Sequence, residues 1–167
     1  KAHLDRLVRH ASGQRRSGAV LVAFFPGFAR LVQELGPASE DVLYQQVESR
    51  LQTHLRGTDA ITRRESGELA VAMSDGGRPQ AEALARRLVD ALSNAPLSVG
   101  ARHEVLSANV GVALYPADAE DGDTLLTCAT DALHHAHTTD GVYFHQPLTC
   151  VRCEFQRFFG GIVGEGA

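Results

Sequence analysis

No stretch of the 167-residue chain is apolar over the length that a bilayer crossing needs, and its start lacks the charged-then-apolar pattern of a secretory leader. These absences predict a soluble, cytoplasmic domain with no membrane contact of its own, whether or not a larger parent protein is membrane-attached. Basic charge is also scarce. The formal net charge is −4, so no overall positive field exists to hold nucleic acid or an anionic surface. Cysteine occurs three times, as Cys128, Cys150 and Cys153, which makes a poor disulfide framework and agrees with a reducing compartment. Cys150 and Cys153 form a C-x-x-C pair with no second pair beside it, as expected of chance or tail sequence. Methionine occurs once, as Met73, and the chain opens on Lys1, so a piece excised from a longer protein is expected.

Apolar material is ample: 44% hydrophobic against 22% charged residues suits one globular domain with a sizeable core. Leu4, Leu7, Val8 and Ala11 recur at helical spacing before a break at Gly13 to Gly18. Ala19 to Phe25 is apolar on both faces, the pattern of a strand in the middle of a sheet, and Pro26-Gly27 ends it. A short helix is expected over Phe28 to Leu35, and Ser39-Glu40-Asp41 offers a cap and an acidic first turn to the next helix, which carries Leu43, Val47, Leu51 and Leu55 on one side. Extended pieces at Asp59 to Arg64 and Glu68 to Met73 flank Glu65-Ser66-Gly67, a hairpin signal.

Ala81, Leu84, Ala85, Leu88 and Leu92 define an amphipathic helix opening near Pro79. A hairpin-like pair is expected around Gly100, with Val105 to Tyr115 as its long strand. Leu125, Leu126, Ala129, Ala132, Leu133 and Ala136 mark the last helix, and Val142 to Phe144 a closing strand. This order predicts an α/β fold of the α+β type, a ferredoxin-like, largely antiparallel mixed sheet covered by helices. Residues 148–167 fit no element and are expected to be a tail or the start of a linker to a further domain. Arg15-Arg16 and Arg63-Arg64 are expected to be solvated surface. His134, His135 and His137 would need a third ligand nearby to bind metal, and exposed histidines on a helix are expected instead.

Ser107-Ala108-Asn109-Val110-Gly111-Val112-Ala113-Leu114-Tyr115-Pro116, followed by Asp118, Leu125-Leu126, Ala129, Asp131-Ala132-Leu133 and Ala136, resembles the C-terminal half of GGDEF domains, the diguanylate cyclase-like family. Arg64 to Val71 falls where that family has its signature hairpin, with Glu65-Ser66-Gly67-Glu68-Leu69 at the five signature positions and only Glu68 retained. Gly27-Phe28 and Leu35-Gly36 are further landmarks, and residues 1–147 are expected to form a degenerate GGDEF domain with a nucleotidyl-cyclase-like fold.

In that family two GTP molecules condense to cyclic di-GMP across a dimer, and acidic residues hold divalent metal on the triphosphate. The resemblance places Phe24 and Pro26 at the first-strand aspartates, Gly67 at the acidic third signature position, Val32 at a guanine-contacting asparagine and His137 at a phosphate-facing lysine. It implies no catalytic residue beyond a vestigial Glu68, a vestigial nucleotide-binding Asp41 and no metal site, with Mg²⁺ relevant only where GTP binding survives. Arg56-Gly57-Thr58-Asp59 matches the family's R-x-x-D inhibitory pattern, five residues before the signature, and Arg87 matches a second arginine. Arg56, Asp59 and Arg87 are therefore the expected ligand-binding residues, with cyclic di-GMP as ligand, guanine edge or phosphate meeting arginine, and the aspartate accepting from guanine. The function expected from the resemblance is a non-catalytic regulatory module beside an EAL-type or sensor domain. The alternatives are a weakly active cyclase using Glu68 and Asp41, or a structural domain that dimerises or binds partners.

Overall fold

A computed structural model describes residues 17–64, 67–134 and 141–145. The helix expected over Leu4 to Ala11, the histidines His135 and His137, Ala136 and the tail 148–167 lie outside them. Strand β1 (Gly18–Phe24) is the centre of a five-stranded sheet of order β2-β3-β1-β6-β7, with β2 spanning Ala60–Arg63, β3 Glu68–Met73, β6 Asn109–Tyr115 and β7 Val142–Phe144. All pairings in this sheet are antiparallel except β6 with β7. The mixed, largely antiparallel sheet expected from the sequence is what forms.

The two-faced apolar pattern of β1 has a direct cause. Ala19, Leu21 and Ala23 face one core, shared with helices α1 (Phe28–Leu35), α2 (Ser39–Gln52) and α3 (Arg78–Ser93). Val20 and Val22 face a second core, closed by Leu125, Cys128 and Ala129 of α4 (Gly122–His134). Burial pushes the Cys128 thiol above its ordinary pKa, and the carboxylates of Asp118, Asp131 and Asp121 push it the same way, so it stays a protonated core side chain. Helix α4 comes so close to β6 that a Cβ on Gly111 would lie 2.0 Å from the carbonyl oxygen of Ala129. At the sheet's far edge, the Arg78 guanidinium stands 4.1 Å from the centre of the Phe144 ring and joins α3 to β7.

Two local expectations are corrected. Ser39 does not cap α2: Ala38 occupies the N-cap, while Ser39 is already helical and its hydroxyl turns back to donate to the Gly36 carbonyl. The acidic first turn, Glu40 and Asp41, is present. The second correction concerns Val105 to Tyr115, which is not one long strand of a hairpin. The hairpin around Gly100 pairs β4 (Leu97–Val99) with β5 (Arg102–Glu104) in a separate two-stranded sheet, and 105–108 cross from it to the main sheet. Leu106 and Ala108 are buried during that crossing, which explains why the apolar pattern looked continuous with β6.

The small hairpin is fastened to α2. Gln46 exchanges two hydrogen bonds with the Ser98 backbone, and the Arg50 guanidinium donates to the carbonyls of Ala95 and Pro96. Arg102 bridges Glu34 of α1 at 2.7 Å and Glu104 at 2.8 Å. Among the described residues no helix is long and apolar enough to cross a membrane.

Candidate functional site

The β2–β3 hairpin carries two places of interest, one at each end. At its turn, Gly67 has φ +81°, a left-handed conformation that glycine adopts without a Cβ penalty. Its N–H donates to the Tyr44 hydroxyl at 2.8 Å, and its carbonyl accepts from the Phe25 N–H at 2.9 Å. Tyr44 comes from the core face of α2, so the helix reaches the turn through one buried side chain. Phe28 packs its ring 4.6 Å from that of Tyr44 and 6.3 Å from that of Phe25. Burial raises the Tyr44 pKa above its ordinary 10.0, against the lowering pull of the Gly67 and Glu68 backbone N–H groups, so the phenol is neutral at physiological pH.

The two acids that the sequence marked here are both engaged. Asp41 meets the Arg63 guanidinium at 2.9 Å, and that same guanidinium binds Glu48 at 2.6 Å and lies 4.9 Å over the Tyr44 ring. Hydrogen bonds that Arg63 donates to Glu48 and then to Asp41 hold its pKa above the ordinary value despite some desolvation. Asp41 is 81% exposed, so its pair contributes at most about 1 kcal/mol. Glu68 pairs with Arg64 at 3.5 Å, across the turn whose backbone they also close. Arg63 and Arg64 lie on the exposed surface, as the sequence suggested, and there they serve as counter-ions to the residual acids. A cross-strand position opposite Glu68 was the signal that could have revealed Arg64.

Beside this turn, β1 ends with Phe24, paired in register with Glu68 on one side and Asn109 on the other. Phe24 is 37% exposed, and Pro26 is exposed as well. Neither side chain offers an oxygen to a metal, and Gly67 offers no side chain at all. Among the described residues no group of three or more His, Cys, Asp or Glu is gathered where it could hold a metal ion. Val32 is half-buried on α1 against the main core, and His134 lies at the end of α4.

The opposite end of the hairpin, roughly 13 Å away along four-residue β2, holds the R-x-x-D turn. The Asp59 N–H donates to the Arg56 carbonyl at 3.0 Å, and the Arg56 N–H returns a bond of 3.0 Å to Asp59 Oδ2. Asp59 Oδ1 accepts from the Ser74 N–H at 3.2 Å and lies 3.5 Å from the Ser74 hydroxyl. Sequence reasoning missed Ser74, because a loop serine fifteen residues away carries no local signal. The guanidinium of Arg56 is exposed and, among the described residues, makes no ion pair. Arg87 is likewise exposed, on the outer side of α3, and no hydrogen bond joins it to Arg56 or Asp59. The structure therefore brings Arg56 and Asp59 together in one turn, while Arg87 stands on α3 without a bond to either.

Residues 1–141 match the family profile of the diguanylate cyclase GGDEF domain. The chain belongs to the GGDEF domain family. Among relatives of this GGDEF domain, MucR of Pseudomonas aeruginosa, a bifunctional diguanylate cyclase/cyclic di-GMP phosphodiesterase, is 31% identical over 134 residues, which is 80% of this chain and 19% of MucR. NbdA of the same organism, a cyclic di-GMP phosphodiesterase, is 33% identical over 132 residues, 77% of this chain and 17% of NbdA. The chain thus spans less than a fifth of the length of either relative. The crystal structure of the GGDEF domain of TpbB from P. aeruginosa superposes with a TM-score of 0.79 at 25% identity, covering 87% of this chain and 92% of that one. The fold is also shared with the GGDEF domain of DgcB from Caulobacter crescentus in complex with c-di-GMP, at a TM-score of 0.74 and 16% identity, over 86% of each chain.

Proposed function

We propose that this GGDEF domain is a non-catalytic regulatory module of a cyclic di-GMP signalling protein, receiving cyclic di-GMP at the Arg56–Asp59 turn with Arg87 and conveying its state to an EAL-type or sensor neighbour. In this assignment 1–147 form the domain and 148–167 a tail or linker. One observation carries it: around the signature turn, Phe24, Pro26 and Gly67 supply no side-chain oxygen for a metal, and among the described residues the acids there, Asp41 and Glu68, are already paired with Arg63 and Arg64. Mg²⁺ takes hard oxygen ligands in near-octahedral order, so the described residues do not fit a metal–triphosphate centre. The identities of MucR and NbdA as cyclic di-GMP enzymes, and the c-di-GMP held by the DgcB domain of the same fold, support the choice of ligand.

The test is calorimetric titration of the chain with cyclic di-GMP, alongside GTP with Mg²⁺ and an Arg56→Ala variant. Saturable cyclic di-GMP binding that Arg56→Ala abolishes, with no turnover of GTP, is the expected result. Formation of cyclic di-GMP from GTP would overturn the non-catalytic assignment. Absence of cyclic di-GMP binding would leave a domain that acts through its surfaces alone.

A further inference from the structure

The loop between β3 and α3, Ser74 to Gly77, is tied in three directions. The Ser74 N–H donates to Asp59 Oδ1 at 3.2 Å, which fastens the loop to the turn before β2. The Gly76 N–H donates to the Ser17 carbonyl at 3.0 Å, which fastens it to the residue that leads the chain into β1. The Gly77 N–H donates to Gln80 Oε1 at 3.0 Å, which fastens it to the first turn of α3.

The loop has no slack to take up a shift at any one of these ties. A single residue, Asp75, separates the first from the second, nothing separates the second from the third, and one residue spans at most about 3.6 Å. Gly76 stands at φ +128°, and a Cβ there would lie 2.9 Å from Gln80 Cβ and 3.2 Å from Met73 Cε. Alongside, Gly18 runs so close to the end of β3 that a Cβ would meet the Met73 carbonyl oxygen at 2.6 Å. The start of β1 and the end of β3 thus meet backbone to backbone, and a displacement of one reaches the other.

We propose that 74–77 is a conformational link, through which a shift of the chain entering at Ser17 passes to the Arg56–Asp59 turn on one side and to α3, which carries Arg87, on the other. Linkage makes such coupling reciprocal, so whatever holds the turn also holds the chain's entry. The use of the link in signalling rests on the turn being a receptor site in a protein with a neighbour upstream of β1; the link itself does not.

Residue-resolved amide exchange on the ligand-free 167-residue chain tests the link from two ends. Asp59→Ala removes the charged acceptor of the Ser74 N–H and is expected to accelerate exchange about tenfold or more at Gly76, whose own acceptor, the Ser17 carbonyl, is untouched. Gln80→Ala, at an exposed position, removes the neutral acceptor of the Gly77 N–H and is expected to accelerate exchange about threefold or more at Ser74 and Gly76. The β4–β5 hairpin, held to α2 by Gln46 and Arg50, should keep its native rates in both variants. Acceleration confined to Arg56 and Ser74 in the first variant and to Gly77 in the second overturns the link, because the ties would then open independently. Acceleration everywhere, the hairpin included, overturns it too, because the loop would then open only with the whole fold. All rates are read without ligand, so failure of cyclic di-GMP to bind removes the receptor reading and leaves this result standing.

Discussion

Replacing Tyr44 by Phe removes one oxygen and little else. The ring keeps its contact with Phe28 and its place beneath Arg63, so the packing of α2 on the hairpin turn is retained. What changes is that the buried Gly67 N–H, 2.8 Å from the hydroxyl in the native protein, loses its acceptor. A net hydrogen bond is worth about 1 kcal/mol, and a buried donor left without a partner raises the cost, so Tyr44→Phe should destabilise by about 1–2 kcal/mol and lower Tm by roughly 3–6 °C. Urea unfolding measures this directly, with an unchanged slope confirming that the native compactness is the same. Alkaline pH adds a signed test. The Tyr44 pKa is raised above 10.0 by burial, so its stabilising share is complete below pH 10 and is lost as pH rises through the folded value. The gap between native and Phe variant should therefore narrow above about pH 10. A variant as stable as the native protein within about 0.3 kcal/mol, or a gap that widens with pH, would refute the role given to the hydroxyl.

Gly111→Ala should cost about 3 kcal/mol or more, because the new methyl meets the Ala129 carbonyl oxygen at 2.0 Å and Leu133 Cγ at 3.0 Å; the urea midpoint reads it, and a loss under about 1 kcal/mol would show that α4 yields easily. Arg50→Ala removes the donors to Ala95 and Pro96 and should cost about 1 kcal/mol globally while accelerating amide hydrogen exchange over 97–104, with Gln46 keeping the hairpin from full release. Unchanged exchange in that segment would mean Gln46 alone holds it. Gly67→Asp, which puts a carboxylate back at the turn, should lose about 1–2 kcal/mol through its left-handed backbone and give no turnover of GTP; activity in a coupled phosphate assay would contradict this.

Most of the fold was legible because it follows from periodicity. The run from Ala19 to Phe24 is apolar on both faces since it lies between two cores, and Ala81, Leu84, Ala85 and Leu88 repeat at helical spacing since one side of α3 is buried. The hairpin was legible from its glycine. The crossing at 105–108 was not, because Leu106 and Ala108 are buried in a segment that pairs with no strand, and burial alone imitates a strand pattern. The site was legible only as residue types. Arg56 and Asp59 share a turn as their spacing suggested, yet Ser74 binds Asp59 from the end of another strand, and Tyr44 reaches Gly67 from 23 positions away. Such side-chain to backbone bonds depend on where helices and turns settle, which no local pattern encodes. The same holds for Arg63, whose partners Asp41 and Glu48 lie on α2.

The two outer strands of the described sheet, β2 and β7, are four and three residues long. An edge that short offers few unpaired N–H and C=O groups to an incoming chain, and β2 ends in a charged arginine, another feature that discourages main-chain pairing. Sheet extension is thus a poor route for copies of this domain to join. Side chains on helix faces and loops suit such joining better, and single substitutions there can tune or abolish it.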